Sequence, residues 1–409
     1  MASLSVPPVL TSPRNDAIAL HRAFRGFGCD STTVISILAH RDSTQRALIM
    51  QEYRALYRQD LYHRLSTELT GHHKKAMLLW VLDPVGRDAT ILNQALNSEI
   101  TDLRGATEVI CSRTPSQLLV MKQTYRALFG CYLEHDITER TYGDHQKLLL
   151  AYLGVPRYEG PQVDPSAAAY DARELYRAGE RRLGTNERTF IRIFSERSWA
   201  HMASVAAAYQ HMFTRSLEKA VKSETSGNFE FGLLTILRCA QSPAGYFAKV
   251  LHKAMKGLGT SDTALIRVVV TRTEIDMQYI KAEYHKKYKR SLADAIHSET
   301  SGNYRTFLLS LAVKSETSGN FEFGLLTILR CAQSPAGYFA KVLHKAMKGL
   351  GTSDTALIRV VVTRTEIDMQ YIKAEYHKKY KRSLADAVHA ETSGNYRTFL
   401  LSLVGRDRY

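Results

Sequence analysis

A sharp turn followed forty residues later by a carboxylate is the feature that most constrains this chain. The pattern is clearest at residues 255–262, Met-Lys-Gly-Leu-Gly-Thr-Ser-Asp, where Glu299 follows forty residues after Gly259. Two glycines separated by one residue let the backbone turn and expose its carbonyl oxygens, because glycine adopts positive φ at no steric cost. A single Gly-x-Gly between helical patterns is more often only a helix C-cap with a tight turn. Recurrence of the spacing favours a binding role.

The spacing recurs elsewhere in the chain. A first repeat has the turn at residues 24–30 and then Glu68, and a third has the same pattern ending in Glu224. A second repeat keeps the frame without the chemistry, because Ile100 stands at the second glycine and Arg140 at the carboxylate. A scaffold that survives this loss indicates that the glycines and the acid serve more than the fold.

Oxygen ligands in this arrangement suit calcium, which accepts roughly 6–8 oxygens, including backbone carbonyls and a bidentate carboxylate. Three carbonyls of the turn at 255–262 and both oxygens of Glu299 would supply five. About one to three positions would remain for water or for an outside oxygen such as a lipid phosphate. A site with one carboxylate should be weak by itself, on the order of 10⁻⁴ M or poorer.

Apolar residues fall at helical spacing on both sides of the turn. Phe247, Val250, Leu251 and Ala254 lie at i, i+3, i+4 and i+7 before it, and a Thr-Ser-Asp cap opens the next helix. Along one repeat, the pattern predicts five helices in about seventy residues. The predicted fold class is therefore all-α, without an apolar run of the eighteen or so residues that cross a bilayer.

A tandem block lengthens the chain, because residues 220–311 reappear as 312–403 with two differences in 92 positions. The copy begins inside the third repeat, so the chain gains an orphan helix pair and then a second copy of the fourth repeat. Glu316, in the orphan pair, has no glycine turn forty residues before it, and we expect it to bind no calcium. The sequence leaves open whether the copy folds as a fifth repeat, exchanges with the fourth in a domain swap, or reflects an error of sequence assembly.

The net charge of +15 favours polyanionic partners such as a membrane surface or nucleic acid. Five scattered cysteines fit a reducing, cytosolic setting better than a disulfide framework. The sequence has no N-terminal signal pattern. It has no P-loop, no His-Glu-x-x-His and no Gly-x-Ser-x-Gly segment, which excludes those standard nucleotide-binding, metalloprotease and hydrolase motifs.

The Lys-Gly-Leu-Gly-Thr loop, the carboxylate forty residues on and four such units resemble the annexin family over essentially the whole chain. The short N-terminal tail, the intact loops of the first and fourth repeats and the Ile-Leu-Ala-His-Arg-Asp segment around His40 resemble its plant branch. The resemblance implies an annexin-like, slightly curved disc of five-helix repeats, here four repeats plus the orphan pair and the duplicated fourth repeat.

The resemblance also implies a function. Calcium loops on the convex face would bind anionic phospholipid peripherally and reversibly. The protein would be cytoplasmic and would move to the inner face of the plasma membrane or to endomembranes when calcium rises. In a plant cell this would serve membrane and stress-related calcium responses.

Family members hold the ion with three carbonyls of the turn and the distant carboxylate, which implies ligand sets here. Complete sets stand in the first repeat, in the fourth and in its copy: Phe24, Gly26, Gly28 and Glu68; Met255, Gly257, Gly259 and Glu299; Met347, Gly349, Gly351 and Glu391. A weaker set in the third repeat is Glu180, Arg182, Gly184 and Glu224. Arg182 replaces a glycine there, in a turn whose φ an arginine adopts only at a cost. The second repeat should bind no calcium.

The periodicity also predicts the domain boundaries. The predicted order is an N-terminal tail (1–13), repeat 1 (14–82), repeat 2 (83–156), a linker (157–166), repeat 3 (167–240), repeat 4 (241–311), the duplicated last helices of repeat 3 (312–333), the duplicated repeat 4 (334–403) and a C-terminal tail (404–409). The duplicated repeat 4 is called the fifth repeat below.

Other functions explain parts of the sequence. His40 matches a histidine that the resemblance associates with haem-type peroxidase activity, whereas a lone histidine in a helical pattern is more often buried and hydrogen-bonded. The basic surface alone would explain calcium-independent polyanion binding, but not the glycine and glutamate spacing. Residues 191–193, Ile-Arg-Ile, resemble a tripeptide proposed to contact F-actin, and Cys111 and Cys239 resemble cysteines proposed to act in redox chemistry. We expect no enzyme activity and no specific nucleic-acid partner; the oligomeric state is open.

Overall fold

The computed structural model describes residues 12–26, 28–257, 259–312, 334–348 and 352–405. All regular secondary structure in these ranges is α-helical, which confirms the predicted fold class. The chain divides into a first unit, Met1–Ser315, and a second unit, Glu316–Tyr409. No helix in the described ranges combines the length and the apolar character that crossing a membrane requires. The predictions about the orphan helix pair and Glu316 fall outside the described residues.

The described part of the first unit contains four successive sets of five helices. These are α1 (Pro13–Ala23), α2 (Ser31–Leu38), α3 (Ser43–Tyr57), α4 (Leu61–Glu68) and α5 (Gly71–Val81); α6 (Pro84–Asn97), α7 (Leu103–Cys111), α8 (Pro115–Phe129), α9 (Leu133–Arg140) and α10 (Gly143–Gly154); α11 (Pro165–Ala178), α12 (Glu187–Glu196), α13 (Trp199–Phe213), α14 (Leu217–Glu224) and α15 (Gly227–Gln241); α16 (Pro243–Ala254), α17 (Asp262–Arg272), α18 (Met277–Tyr288), α19 (Leu292–Glu299) and α20 (Gly302–Ala312). The described part of the second unit contains α21 (Pro335–Ala346), α22 (Asp354–Arg364), α23 (Met369–Tyr380), α24 (Leu384–Glu391) and α25 (Gly394–Val404).

Capping residues define where these short helices begin and end. Asp42 opens α3 with a capping box, in which its side chain accepts from the backbone of Gln45 and the Gln45 side chain accepts from the backbone of Asp42. The same helix ends at Tyr57, and its C-cap, Arg58, has a φ of +53°, which turns the chain out of the helix. Such local signals divide each repeat into five helices, whose apolar faces then pack together, the first against the third most extensively.

A buried cluster of ions joins repeats 1, 2 and 4 within the first unit. The carboxylate of Glu274 accepts hydrogen bonds from the guanidinium groups of Arg46 and Arg87, at 3.1 and 3.2 Å. Both arginines are almost completely buried and lie against the Trp80 ring, 4.0 and 4.8 Å from its centroid. Burial lowers the pKa of Arg87 to about 10. Because buried cations are costly without a counter-ion, the structure depends on this one carboxylate.

The fifth repeat has a hydrophobic core of its own in the second unit. Its sequence nearly repeats that of repeat 4, yet three apolar positions differ in environment. Ile358, Val362 and Phe399 are 39%, 48% and 52% exposed, whereas their counterparts Ile266, Val270 and Phe307 are at most 3% exposed. In the first unit α17 and α20 pack on α5, and α20 also packs on α2, which covers these counterparts. We call Ile358, Val362 and Phe399 the uncovered face.

Glu274→Ala should lower the free energy of unfolding by about 3–5 kcal/mol, since two buried arginines lose their counter-ion. The matched control is Glu366, the same residue in the fifth repeat, which is exposed. Glu366→Ala should change the free energy by less than about 0.5 kcal/mol. Urea denaturation followed by circular dichroism measures both variants. Equal effects would contradict the role given to the buried cluster.

Acid should destabilise the first unit through His145, which is 7% exposed and whose Nε2 lies 2.8 Å from Oγ1 of Thr107. Burial lowers the pKa of His145 from 6.5 to about 4. Because the folded pKa lies below the unfolded one, this stabilisation is complete above pH 6.5 and is lost as the pH falls toward 4, by about 2 kcal/mol. Thermal unfolding midpoints measured from about pH 7.5 to 4.5 should fall less steeply for His145→Gln than for the parent. Parallel curves would contradict this assignment.

Candidate functional site

The turn between α16 and α17 in repeat 4 closes through one backbone hydrogen bond. The N–H of Ser261 donates to the carbonyl of Ala254 over 2.8 Å. Gly257 and Gly259 have φ of +124° and +92°, which residues with a Cβ rarely adopt. No atom lies within 4 Å of where a Cβ would stand at either glycine. The backbone conformation, and not crowding, therefore requires glycine here.

The turn between α1 and α2 in repeat 1 has the same conformation. The N–H of Asp30 donates to the carbonyl of Ala23 over 2.9 Å. Gly26 and Gly28 have φ of +128° and +88°. Both glycine pairs are exposed, so their carbonyl groups belong to the surface of the protein.

The carboxylate predicted for repeat 4 lies beside its turn. Glu299 ends α19, and the hydroxyl of Thr260 donates to its backbone carbonyl over 3.2 Å and lies 3.3 Å from its Oε2. Met255, whose carbonyl is another predicted ligand, is the C-cap of α16, and Met347 caps α21 with nearly the same dihedral angles. The Thr260 hydroxyl thus ties Glu299, 39 positions further along the chain, to the Gly-x-Gly turn.

Repeat 1 holds its carboxylate differently, because Cys29 replaces the threonine. Glu68 ends α4, and Arg64 precedes it by one helical turn. Nη2 of Arg64 lies 2.9 Å from Oε1 of Glu68 and donates to the carbonyl of Phe24 over 3.1 Å. A guanidinium group therefore stands between two predicted calcium ligands. This stand-in cation indicates that the carbonyl and carboxylate oxygens face a common position suited to positive charge.

The fifth repeat has the same two ties as repeat 4. The N–H of Ser353 donates to the carbonyl of Ala346 over 2.8 Å, and the hydroxyl of Thr352 donates to the carbonyl of Glu391 over 3.1 Å. Two predicted ligands lie outside the described residues, Gly349 and Gly351.

The turn of repeat 3 closes in a different register. The N–H of Asn186 donates to the carbonyl of Ala178 over 2.7 Å, so the loop closes over eight residues rather than seven. Gly184 has a φ of +77°, whereas Arg182 keeps a negative φ. The shift in register lets arginine occupy the glycine position without the strained conformation expected from the sequence.

The two acidic residues predicted for repeat 3 have separate partners. Glu224 accepts from the hydroxyl of Thr185 at 2.9 Å through both its backbone carbonyl and its side chain. The Glu180 carboxylate, in contrast, accepts from the hydroxyl of Tyr209 at 2.5 Å and pairs with Arg215. Glu224 thus lies beside a turn that differs in shape from those of repeats 1 and 4, and the weaker ligand set stays a prediction.

Repeat 2 keeps the closing bond without the ligands. The N–H of Asp102 donates to the carbonyl of Ala95 over 2.8 Å, and the Asp102 side chain pairs with Arg267 at 3.0 Å. Ile100 is 88% exposed at the second glycine position. Arg140 ends α9, where the other repeats have a glutamate.

Sequence analysis assigned no role to Thr260 or Arg64, although both contact predicted ligands. Thr260 gave no signal beyond its place in the loop. Arg64 did give one, because it precedes Glu68 by four residues, a spacing at which side chains on a helix meet. In the described part of the chain no three His, Cys, Asp or Glu side chains form a metal-binding group, so the predicted sites depend on backbone carbonyls and one carboxylate each.

The residues behind the other functional interpretations lie in ordinary structural positions. His40 follows α2, and its backbone carbonyl accepts from Nη1 of Arg41 at 3.1 Å. Cys111 and Cys239 are fully buried, and burial raises the pKa of Cys111 to about 12 and that of Cys239 further, which disfavours the reactive thiolate. Ile193 is buried in the packing of α12, as the helical interpretation of residues 191–193 predicts.

Comparison with known proteins gives consistent matches. A family model described as Annexin matches residues 15–80, 87–152, 170–236, 246–311 and 338–403. Annexin D5 of Arabidopsis thaliana is 51% identical over 311 residues, which cover 76% of this chain and 98% of that protein. The structure of annexin III has a TM-score of 0.73 and 35% identity, covering 76% of this chain and 96% of that one. The structure of calcium-bound annexin (Sm)1 has a TM-score of 0.67 and 28% identity, covering 76% and 93%.

Gly257→Ala should weaken calcium binding by repeat 4 about tenfold, because a φ near +124° costs an alanine about 1–2 kcal/mol. The matched control is Gly154→Ala, at the end of α10, which has equal open space around its Cβ position but no positive φ. Calcium titration of chains that also carry Glu68→Gln, Glu224→Gln and Glu391→Gln isolates the repeat 4 site. Unchanged half-saturation in Gly257→Ala would show that this turn is not the binding loop.

Proposed function

Because this chain belongs to the annexin family, we propose that it binds anionic phospholipid membranes reversibly through the turns of repeats 1, 4 and 5 when calcium rises. Annexins bind Ca²⁺ and, in a calcium-dependent way, membrane phospholipid. They are peripheral membrane-binding proteins and in general not enzymes. The proposal assigns these general properties to particular residues of this chain.

One observation carries the assignment. In repeat 4 the hydroxyl of Thr260 holds Glu299 beside a turn whose two glycines have the same unusual φ as those of repeat 1. The carbonyls of the turn and this single carboxylate would together offer the oxygen ligands that a hard cation such as calcium requires. The weaker set of repeat 3, with Glu224 beside a turn of different shape, would contribute less.

The proposed role of each protein group follows from its chemistry. Carbonyls of the turn and the glutamate bind the ion, which when bound offers about one to three coordination positions to lipid phosphate oxygens. Affinity for the ion and affinity for the membrane therefore raise each other reciprocally. Several turns that each bind weakly act together on one protein, because once the first has bound, the others meet the membrane at a high effective concentration. Exposed lysines and arginines near the membrane contribute about 1 kcal/mol each.

The duplicated block would strengthen this binding in two ways. It supplies a further turn and carboxylate, Met347 to Glu391, and 13 Lys and Arg against 8 Asp and Glu over residues 312–403. The surface attraction that these charges add is screened by salt, whereas binding through the turns depends on calcium. In its finer form, the proposal includes a location at the inner face of the plasma membrane or at endomembranes and a role in plant stress responses. It also includes contact with F-actin through residues 191–193.

Co-sedimentation with phosphatidylserine vesicles, in calcium and in chelator, tests the assignment. The chain with Glu68→Gln, Glu299→Gln and Glu391→Gln should lose calcium-dependent pelleting. The control chain carries Glu52→Gln, Glu283→Gln and Glu375→Gln, which neutralise three partly exposed helical glutamates in the same three repeats. This control should pellet like the parent. If the parent, the triple variant and the control chain all pellet equally in chelator, the basic surface is the binding element and the turns are excluded.

A further inference from the structure

Arg64 occupies the position between two of the four ligands proposed for repeat 1. Its Nη2 lies 2.9 Å from Oε1 of Glu68 and 3.1 Å from the carbonyl oxygen of Phe24. Its guanidinium group also lies 5.8 Å from the centroid of the Phe24 ring. A hydrogen bond between charged groups is roughly twice as strong as a neutral one, so this contact competes directly with any other cation at these oxygens.

The other repeats that carry the carboxylate have no basic residue at the sequence position equivalent to Arg64. The residue four positions before it is alanine in each, namely Ala220, Ala295 and Ala387. A nearby arginine of repeat 4, Arg290, donates instead to the carbonyl of Asp294 and the hydroxyl of Ser298, at 2.7 and 2.8 Å. Repeats 1 and 4 therefore share the turn and differ beside the carboxylate, where repeat 1 has Arg64 and Cys29 and repeat 4 has Ala295 and Thr260.

The contact is poorly explained as a device for fold stability. Nε of Arg64 is buried and has no hydrogen-bond partner among the described residues, which costs free energy. The side chain is still 34% exposed, so its ion pair with Glu68 is partly screened by solvent. An arginine kept with an unsatisfied Nε yet directed at two ligand oxygens fits a role at the site better than a role in the core.

We propose that Arg64 is an internal competitor for the calcium site of repeat 1. Resting on the proposed function, this means that calcium enters the site only as the guanidinium group leaves Glu68 and the Phe24 carbonyl. Repeat 1 then responds at higher calcium than repeats 4 and 5, which have alanine at this position. The membrane response of the chain is consequently spread over a wider range of calcium concentration than identical sites would give.

Single-site chains test the proposal. A full-length chain with Glu224→Gln, Glu299→Gln and Glu391→Gln retains the repeat 1 site, and a chain with Glu68→Gln, Glu224→Gln and Glu391→Gln retains the repeat 4 site. Calcium affinity is read from displacement of terbium luminescence, without lipid. Arg64→Ala in the first chain should lower the half-saturating calcium concentration about tenfold, as the loss of a charged hydrogen bond from the metal-free state predicts.

Two further variants separate competition from a general effect of charge. Arg22 lines the cleft at the repeat 1 turn, and Arg22→Ala removes the same charge without freeing a ligand. It should change half-saturation less than about twofold. Ala295→Arg, in the chain that retains the repeat 4 site, places an arginine at the equivalent position and should weaken calcium binding about tenfold. Circular dichroism checks that each variant is folded.

The outcomes distinguish the two proposals. The competitor role is wrong, and the proposed function stands, if the repeat 4 chain binds calcium but Arg64→Ala does not change the half-saturating calcium concentration of repeat 1. The same conclusion follows if Arg22→Ala lowers that concentration as much as Arg64→Ala does. If neither single-site chain binds calcium, both proposals are wrong. A gain specific to Arg64→Ala supports the competitor role even should Ala295→Arg fail to fold.

Discussion

Each repeat depends on one backbone hydrogen bond that closes the loop between its first two helices. In repeats 1 and 4 the bond joins Asp30 to Ala23 and Ser261 to Ala254, so seven residues must reverse the chain. The two glycines of each of these loops lie at positive φ, which glycine adopts freely. In repeat 3, where Arg182 stands in a glycine position, the loop closes over eight residues instead. Repeat 2 also closes over seven residues, from Asp102 to Ala95, without positive φ at Ser98 or Ile100, so closure by itself does not require the glycines.

The closing bond and the chemistry beside it are separable. Repeat 2 retains the bond through Asp102 and Ala95 although it lacks both the glycines and the carboxylate. Repeat 1 retains bond and carboxylate, and adds Arg64. Since the bond uses only backbone atoms, side chains around the loop change without loss of the fold. One helical frame thus carries loops with different side chains around the same closing bond within a single chain.

Local sequence signals predicted the helices and the placement of Glu299 beside its turn, because caps, apolar spacing and glycine act over few residues. The all-α fold class is confirmed, whereas the ligand roles stay predictions. Three features escaped because they depend on distance in space. Arg64 reaches a carbonyl forty residues away, and Arg182 is accommodated by a shift in the backbone. Glu274 forms ion pairs with two arginines of other repeats, and no spacing in the sequence predicts these pairs.

The fourth repeat and its nearly identical copy show that the same residue can be buried in one repeat and exposed in the other. Phe307 is buried against α5, while Phe399 in the uncovered face is half exposed. A substitution to a polar residue at Phe307 removes buried apolar surface and is opposed by stability, but the same substitution at Phe399 is nearly neutral. Leu343 and Val388, inside the second core, stay under the same packing constraint as their counterparts. The two differences that the copies already carry lie elsewhere, one of them at buried Val388, which replaces Ile296. Ile358, Val362 and Phe399 are thus positions at which the second unit tolerates substitutions that the first unit does not.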